Sequence, residues 1–442
     1  SVYSSNLLNN NSGFADSKAQ FKLSPGKNAL SSQQLELYRK YRHKAQQTYK
    51  KLHKLKPNYL TSTGTIYNRL SNEYLISFLE LRIYQNEQEA QKELISGLYS
   101  DFVITTAKNM LTSCDSNAIL FTGGDADTYP LLYVQAFYRH RSDVCIVNLN
   151  LLNTDQYTNS FREKTLHAQP LPLSFSPSQL KAPSLQYTLL EDNHYKPSSL
   201  SKLIDYVADH GAHQPTQSSY HTNYFEIAHG MDTLRWTIEK PYLNKSEILL
   251  LDIINNNQWK RSLHFSALAG KRNYLGLHIY MQNNGLTYTL SVPNNALRNT
   301  GAHGYIDSQS LYKKLLSEYS WKGIKNAKDI ESVYIPLYRY AFATLCQRLI
   351  IENKTKQARE VLNFCEELFP WEKVPVDYTA LHFIENHYKL DQIAKGNEVA
   401  KTLLQHQQSL LDPEHTDAIR SYLRSFFSIY HQEDMLDLMD GR

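Results

Sequence analysis

The chain has 442 residues, which is too long for one small hydrophobic core and predicts two or three domains. Its hydrophobic fraction of 41% and charged fraction of 20% exclude an intrinsically disordered protein. A net charge of +4 over this length gives no argument for nucleic-acid binding, and we expect no nucleic-acid partner.

No stretch of the sequence approaches the roughly 18 to 20 apolar residues that cross a bilayer. The most apolar run, Ile248 to Ile254, contains Asp252 and ends at Asn255. The N-terminus lacks a basic segment followed by an apolar one, so we expect a mature, soluble chain after signal removal. Peripheral or lipid-anchored association with a membrane stays open.

Two residue types bear on the class of protein. The chain has four cysteines, Cys114, Cys145, Cys346 and Cys365. None shows Cys-x-x-Cys spacing, so we expect no zinc site. We also expect no other metal and no cofactor. We interpret the cysteines as buried apolar residues, with a Cys346–Cys365 contact as the alternative. The 32 tyrosines favour an interaction protein, because tyrosine suits contact surfaces.

The N-terminal part divides into a polar segment and a helical region. Residues 1–30 are rich in Ser and Asn and predict an extended or tethering segment. Residues 31–115 show helical periodicity. We predict helices from Ser31 to Pro57, from Thr65 to Tyr84, and from Asn86 through Ala107.

Residues 116–306 predict a Rossmann-like α/β domain. Ala118–Thr122 and Val144–Leu149 read as buried strands, and Pro130–His140 between them reads as a helix. Strand, turn, helix and strand in this order predict a βαβ unit with parallel strands.

The rest of this domain predicts a mixed sheet. Residues 168–220 are rich in Pro, Ser and Gln and predict a loop. The segments that follow predict a hairpin from Tyr224–Ile227 and Leu234–Ile238, helices at Lys245–Asn256 and Leu275–Met281, and strands at Leu263–Ala267 and Leu286–Val292.

Residues 307–442 predict helical hairpins. Apolar positions recur at helical spacing in two similar pairs of helices, with Pro370 and Pro413 at equivalent places about 43 residues apart. The pattern is similar to tetratricopeptide-like (TPR-like) repeats, which have a shorter period of about 34 residues. The predicted fold is therefore an α/β core with a mixed, partly parallel sheet, flanked by N-terminal helices and C-terminal TPR-like hairpins.

Several segments resemble a known family. They are Ala118-Ile-Leu-Phe-Thr-Gly-Gly-Asp-Ala-Asp-Thr-Tyr-Pro130, Asp143-Val-Cys-Ile-Val-Asn-Leu-Asn-Leu-Leu-Asn-Thr154, Leu251-Asp-Ile-Ile254 with Asn257-Gln-Trp-Lys-Arg261, Tyr274-Leu-Gly-Leu277 with Gly285-Leu-Thr-Tyr288, and Lys373-Val-Pro-Val-Asp-Tyr378. In this order they resemble the soluble extracytoplasmic region of bacterial protein O-mannosyltransferase-like membrane proteins. The resemblance covers about residues 100–405.

The chain departs from the family pattern in three ways. The family's acidic loop usually reads Asn-Gly-Asp-Asn-Asp-Thr-Phe-Pro, whereas Gly123 and Ala126 replace the two asparagines here. Ser262 stands where a proline usually follows Arg261. The transmembrane part, in which the resemblance places the transferase chemistry, is absent from this sequence. The resemblance therefore implies an architecture and does not imply transferase activity.

The loop Gly123–Thr128 is the best candidate ligand site. It follows a buried strand at the carboxyl end of a parallel sheet, where open α/β folds bind ligands. Its candidate residues, with those ending the next strand, are Asp125, Asp127, Thr128, Asn148, Asn150 and Asn153. They could bind a glycan or a hard cation. The alternative is that the two carboxylates cap the following helix and hold the turn.

A second candidate surface is the basic first helix. Its candidate residues are Arg39, Lys40, Arg42, Lys44, Lys50 and Lys51. They could contact anionic lipid, glycan or an acidic partner, and the alternative is a solvated helix face. We expect the Trp259 indole to pack as a wedge between domains and the Arg261 guanidinium to pair with a carboxylate.

No catalytic residues are identified, because the sequence contains neither Gly-x-Ser-x-Gly nor His-Glu-x-x-His. We therefore expect a non-catalytic scaffold or accessory subunit of a bacterial envelope assembly, in the periplasm or at the outer membrane, which binds other envelope proteins. One alternative is a glycan- or glycopeptide-binding module that uses Asp125 and Asp127. A third is a hydrolase or glycosyltransferase-related enzyme.

Overall fold

The computed structural model describes residues 30–57, 59–61, 64–210, 219–291, 305–325, 332–410 and 413–440. The chain divides into two compact units, the first made of Ser1–Tyr280 with Thr289–Val292 and the second of Met281–Tyr288 with Pro293–Arg442. The predicted tether at residues 1–30 lies outside the described residues except for its last position. The four-part division of the sequence stays a prediction.

The first 257 residues contain nine helices and nine strands within the described ranges. In chain order they are α1 (Ser32–Leu55), β1 (Leu60–Thr61), β2 (Gly64–Thr65), α2 (Ile66–Tyr84), α3 (Glu87–Gln91), α4 (Asp101–Thr112), β3 (Ile119–Thr122), α5 (Tyr129–Tyr138), β4 (Cys145–Asn148), α6 (Asp155–Ser160), α7 (Pro183–Gln186), β5 (Tyr187–Leu189), β6 (Ser198–Ser199), α8 (Leu200–His210), β7 (Tyr224–His229), β8 (Asp232–Thr237), β9 (Tyr242–Asn244) and α9 (Lys245–Asn257).

Three strands and eight helices follow in the described part of the remaining chain. They are β10 (Leu263–Ser266), β11 (Met281–Asn283), β12 (Thr287–Leu290), α10 (Ser308–Lys313), α11 (Lys322–Lys325), α12 (Ile335–Ile351), α13 (Thr355–Leu368), α14 (Ala380–Lys389), α15 (Ile393–Leu410), α16 (Pro413–Ile429) and α17 (Glu433–Asp440). Short 3₁₀ turns cover Leu151–Asn153, Gln179–Lys181, Lys271–Tyr274, Leu277–Tyr280 and Ser332–Tyr334, and a π turn covers Lys314–Glu318.

The first two helices begin where the sequence predicts. Ser31 and Gln34 form a capping box, in which each side chain accepts a hydrogen bond from the other residue's backbone N–H. The Thr65 hydroxyl caps α2 by accepting from the N–H of Asn68. These caps satisfy backbone donors that a helix start leaves free, so short polar side chains set both boundaries.

The predicted third helix is wrong, because the segment forms α3, a turn and α4. Gly97 lies in the turn with φ of +72°, a left-handed conformation that is incompatible with a continuous helix. Ser100 then caps α4 by accepting from the N–H of Val103. Leu98 and Phe102 are buried, so their spacing reflects packing of the turn and not a continuous helix.

A five-stranded sheet in the order β11-β12-β10-β3-β4 forms the centre of the α/β fold. The three strands β10, β3 and β4 are parallel, and Phe121 of β3 lies between Phe265 and Val147 of its neighbours. Every residue of these three strands is buried, as expected for a parallel sheet covered on both faces. The predicted βαβ unit of β3, α5 and β4 is confirmed.

The predicted hairpin is confirmed as β7 and β8, which pair antiparallel. The predicted loop at residues 168–220 is wrong in part, because it contains α7, β5, β6 and α8. The α8 residues Leu200, Leu203, Ile204 and Val207 recur at helical spacing and are buried. The surrounding Ser and Pro residues obscured this periodicity, since composition alone favoured a loop.

The second unit contains the predicted C-terminal hairpins, built from α12 to α17. Ala341 and Leu345 of α12, with Ala358 and Leu362 of α13, are buried, as their spacing predicts. The predicted fold class is therefore confirmed, with a mixed, partly parallel sheet and helical hairpins at the C-terminus.

Candidate functional site

The acidic loop connects β3 to α5 and is held tightly at its first residue. A Cβ on Gly123 would lie 2.7 Å from the Cα of Ala269, in the loop that follows β10. Only glycine allows the two loops to approach this closely. The loop therefore lies at the carboxyl ends of the parallel strands, where the sequence predicts a ligand site.

Asp127 holds the loop in its conformation. Its side chain is 2% exposed, and its two oxygens accept hydrogen bonds from the N–H groups of Gly123 at 2.9 Å and Gly124 at 2.8 Å. Burial raises the pKa of this carboxyl, and the two amides oppose that rise. Asp127 thus closes the turn, while Thr128 at the start of α5 makes no side-chain cap.

Asp125 keeps contact with solvent, with 29% of its side chain exposed. Its Oδ2 lies 3.7 Å from Nη1 of Arg69 and 3.4 Å from Nδ2 of Asn72, both on α2. Partial burial raises the pKa of the Asp125 carboxyl, and Arg69 opposes that rise. Asp125 can therefore accept a hydrogen bond from a ligand hydroxyl, next to the guanidinium of Arg69.

The remaining candidate residues join the same network of hydrogen bonds. Thr128 Oγ1 lies 2.8 Å from Thr122 Oγ1 and accepts from Nδ2 of Asn148 at 2.8 Å. Asn150 donates to the carbonyl of Gly123 at 2.6 Å. Asn153 donates to the carbonyl of Asn150 at 3.1 Å and accepts from the N–H of Ser246, also at 3.1 Å. Their polar atoms fix the loops to one another.

The basic helix α1 does not expose all six of its candidate cations. Arg42 is buried, because its guanidinium pairs with the buried Glu73 at 3.2 Å and also with Glu80. The expectation that Arg42 is a surface contact is therefore wrong. Arg39 is only partly exposed and pairs with Glu89 at 3.0 Å and Glu93 at 2.9 Å.

Four candidate cations of α1 remain on the surface, namely Lys40, Lys44, Lys50 and Lys51. The ammonium group of Lys44 lies 5.7 Å from the ring centre of Tyr41, and that of Lys50 lies 5.7 Å from the ring centre of Tyr74. These four lysines keep the α1 surface basic, although two of the six candidate cations, Arg39 and Arg42, are paired with glutamates.

Among the described residues, Arg261 does not form its expected ion pair with a carboxylate. Its guanidinium donates instead to the carbonyl oxygens of Asn117, Ala118, Gln169 and Pro170, at distances from 2.7 to 3.3 Å. Arg261 thus joins the start of β3 to the segment after residue 168.

Trp259 packs against residues of its own unit and not as the expected wedge between domains. Its ring lies 4.4 Å from that of His229, and its Nε1–H donates to the carbonyl of Ala228 at 2.7 Å. The indole thereby joins the loop before β10 to the end of β7.

The cysteines are buried and free, as we expected. Cys346 and Cys365 lie on the consecutive helices α12 and α13, and both are free thiols. Burial raises the pKa of the Cys145 thiol to about 11, with Arg261 opposing that rise, so this thiol stays protonated at neutral pH.

A cavity of about 850 Å³ lies beside the end of β8 and the 3₁₀ turns that follow β10. It is lined by Trp236, Thr237, Ile238, Glu239, Lys240, Tyr242, Lys271, Arg272, Leu275, Gly276, His278 and Ile279. None of these was a candidate from sequence. The signal that could have indicated it is Gly270-Lys271-Arg272, two cations directly after a predicted parallel strand.

Within the described ranges, no helix is long and apolar enough to cross a membrane. In the same part of the chain, no group of three or more His, Cys, Asp or Glu side chains is arranged to hold a metal ion.

Comparison with known proteins gives one family match. A family model described as TMEM260-associated domain 2 matches residues 103–229 and 216–310, a little less than half of the chain. No curated protein and no solved structure matches. The matched range contains β3, the acidic loop, the β7–β8 hairpin and the cavity. TMEM260 is a protein O-mannosyltransferase-like family, so the match is compatible with the O-mannosyltransferase-like resemblance of the sequence.

Proposed function

We propose that this chain is a non-catalytic scaffold or accessory subunit of a bacterial envelope assembly, related to the extracytoplasmic part of O-mannosyltransferase-like proteins. Its partners are other envelope proteins. The family match supports the relationship, and the sequence resemblance supports the extracytoplasmic location.

The observation that carries the proposal is the exposed apolar surface of the last helical hairpin. Tyr422 and Ile429 of α16 are 43% and 63% exposed and, seven residues apart, lie on one face of the helix. Leu438 of α17 is 49% exposed. Exposed aromatic and aliphatic side chains on stacked helices are typical of protein-binding surfaces.

The proposal is tested by affinity purification from the native membrane fraction with a paired variant. We expect the Tyr422→Ser, Ile429→Ser variant to lose at least one protein that the wild type retains, while its melting temperature stays the same. The matched control is Tyr195→Ser with Met231→Ser, which changes two fully exposed apolar residues of the first unit. Identical proteins recovered with all three chains would contradict the proposal.

A second candidate function is glycan binding at Asp125. It is favoured by the partly exposed Asp125 carboxylate beside Arg69 and Asn72. Because Asp127 holds the turn, the informative change is Asp125→Asn alone. That variant should lose glycan binding in saturation-transfer NMR without a change in melting temperature. Binding of no glycan by the wild type would remove this candidate.

A further inference from the structure

The cavity beside β8 is built from two segments that are separate in sequence. One is the end of β8 with the turn leading to β9, and the other contains the two 3₁₀ turns after β10. The hydroxyl of Tyr280 joins them by accepting from the N–H of Arg235 at 3.0 Å and donating to its carbonyl at 2.9 Å. All lining residues belong to the first unit.

Trp236 lies in the wall of this cavity. The residue is 3% exposed, and its buried Nε1–H has no acceptor among the described residues. A buried N–H without a partner keeps its full desolvation cost, so such groups are rare in folded proteins. Because Trp236 lines the cavity, a ligand that packs against its ring changes the environment of this N–H.

Two cations at the cavity have no partner among the described residues. Lys271 and Arg272 are exposed, and neither makes a hydrogen bond or ion pair with another described residue. Lys240 differs, since it pairs with Glu247 at 2.5 Å. Glu239 supplies one negative charge against the two free cations. The cavity therefore has an excess of positive charge available to a ligand.

The backbone of the lining segment is strained. Leu275 adopts φ of +48°, a left-handed conformation that is unfavourable for a leucine. Gly276 follows with φ of +86°, and a Cβ there would lie 2.2 Å from the carbonyl oxygen of Thr237. Strained residues of this kind cluster at binding sites, where the surrounding structure holds them in place.

The cavity lining also contains exposed apolar side chains. Tyr242 is 38% exposed and stacks on Tyr187 with ring centres 4.9 Å apart, and Ile279 is 52% exposed. A flat or aliphatic ligand group can pack against these side chains while an anionic group reaches Lys271 and Arg272.

We infer that this cavity binds a small organic oxyanion, a carboxylate or phosphate monoester carrying an apolar ring. Its charged group pairs with Lys271 and Arg272, and its ring packs against Tyr242 and Ile279. The site is separate from the helical-hairpin surface of the proposed scaffold function, so either can fail without the other.

The test follows the indole N–H signals in two-dimensional ¹H–¹⁵N NMR of the full chain, which has four tryptophans. Trp236→Phe assigns the Trp236 signal by its loss. The probes are phenyl phosphate, benzoate and inorganic phosphate. We expect phenyl phosphate or benzoate to shift the Trp236 signal in a saturable manner and to leave that of Trp259 unchanged. The more tightly bound probe identifies the class of oxyanion.

Charge variants test the two cations. We expect Lys271→Ala with Arg272→Ala to weaken binding of the organic probe at least tenfold, and Glu239→Gln to tighten it about threefold. The matched control Lys202→Ala removes an exposed cation of α8 and should not change affinity. All three changes are at exposed positions, so the fold is retained.

Two results would overturn the inference. One is the absence of a saturable shift of the Trp236 signal with all three probes. The other is equal affinity of the wild type and the Lys271→Ala, Arg272→Ala variant. Inorganic phosphate binding as tightly as both organic probes would overturn the assignment of an apolar ring to the ligand.

Discussion

Gly123 places a strict steric demand on the acidic loop. A Cβ there would lie 2.7 Å from the Cα of Ala269 and 3.1 Å from its carbonyl oxygen. Both are backbone atoms, so no side-chain rotation can relieve the overlap. We expect Gly123→Ala to lower the free energy of unfolding by about 2 kcal/mol, as overpacking of an interior does, measured by denaturant unfolding.

The neighbouring glycine provides the control. The nearest atom to a Cβ on Gly124 is Oδ1 of Asp127 at 3.9 Å, an ordinary contact. Gly124→Ala should therefore change the free energy of unfolding by no more than about 0.5 kcal/mol. Equal losses in the two variants would show that lost backbone freedom, and not contact with Ala269, limits this loop.

At the scale of elements, α1 and α2 are joined by a buried charge cluster. Arg42 donates to Glu73 at 3.2 Å and to the Tyr38 hydroxyl at 3.1 Å, and it pairs with Glu80. Glu73 is fully buried. Removing one partner of a buried pair leaves an uncompensated charge, so Arg42→Ala should lower the free energy of unfolding by about 3 kcal/mol.

The loss of stability is measured by thermal and denaturant unfolding of the Arg42→Ala variant, with Lys40→Ala as the control. Lys40 lies two residues away on the same helix and is exposed, so its loss should cost less than about 0.5 kcal/mol. If the two variants are equally stable, the remaining pair of Arg69 with Glu73 at 2.7 Å is sufficient to hold the cluster.

The basic helix shows what periodicity can and cannot predict. The boundaries of α1 and α2 follow from local caps and apolar spacing, and both were predictable. The burial of Arg42 was not, because Glu73 and Glu80 are more than thirty residues away in sequence. Long-range pairing therefore decided which cations of α1 reach the surface.

At the scale of the molecule, the second unit is an array of helical hairpins. In such arrays each hairpin is stabilised mainly by its neighbours, so a local defect has a local effect. Leu423 of α16 is buried, and Leu423→Ala should remove about 3 kcal/mol of local stability. Hydrogen exchange should rise most in α16 and α17 and least in α12 and α13.

Ser425→Ala is the control, because Ser425 lies on the same helix and is exposed. It should leave the exchange pattern unchanged. A uniform rise in exchange throughout the second unit for Leu423→Ala would show that the hairpins unfold as one cooperative body.

By itself the sequence determined the fold class, the βαβ unit, the β7–β8 hairpin and the C-terminal hairpins. These follow from local periodicity, caps and turn residues, which act over a few positions. It also placed the acidic loop at the carboxyl ends of the parallel strands, where the structure has it.

Only the tertiary structure decided what the polar residues at that edge do. Both carboxylate oxygens of Asp127 accept hydrogen bonds from the turn, whereas Asp125 stays partly exposed. The cavity with Trp236, Lys271 and Arg272 forms because β8 meets the segment after β10, over thirty residues apart in sequence. Whether a polar atom is satisfied or free depends on such distant contacts, and local sequence does not encode them.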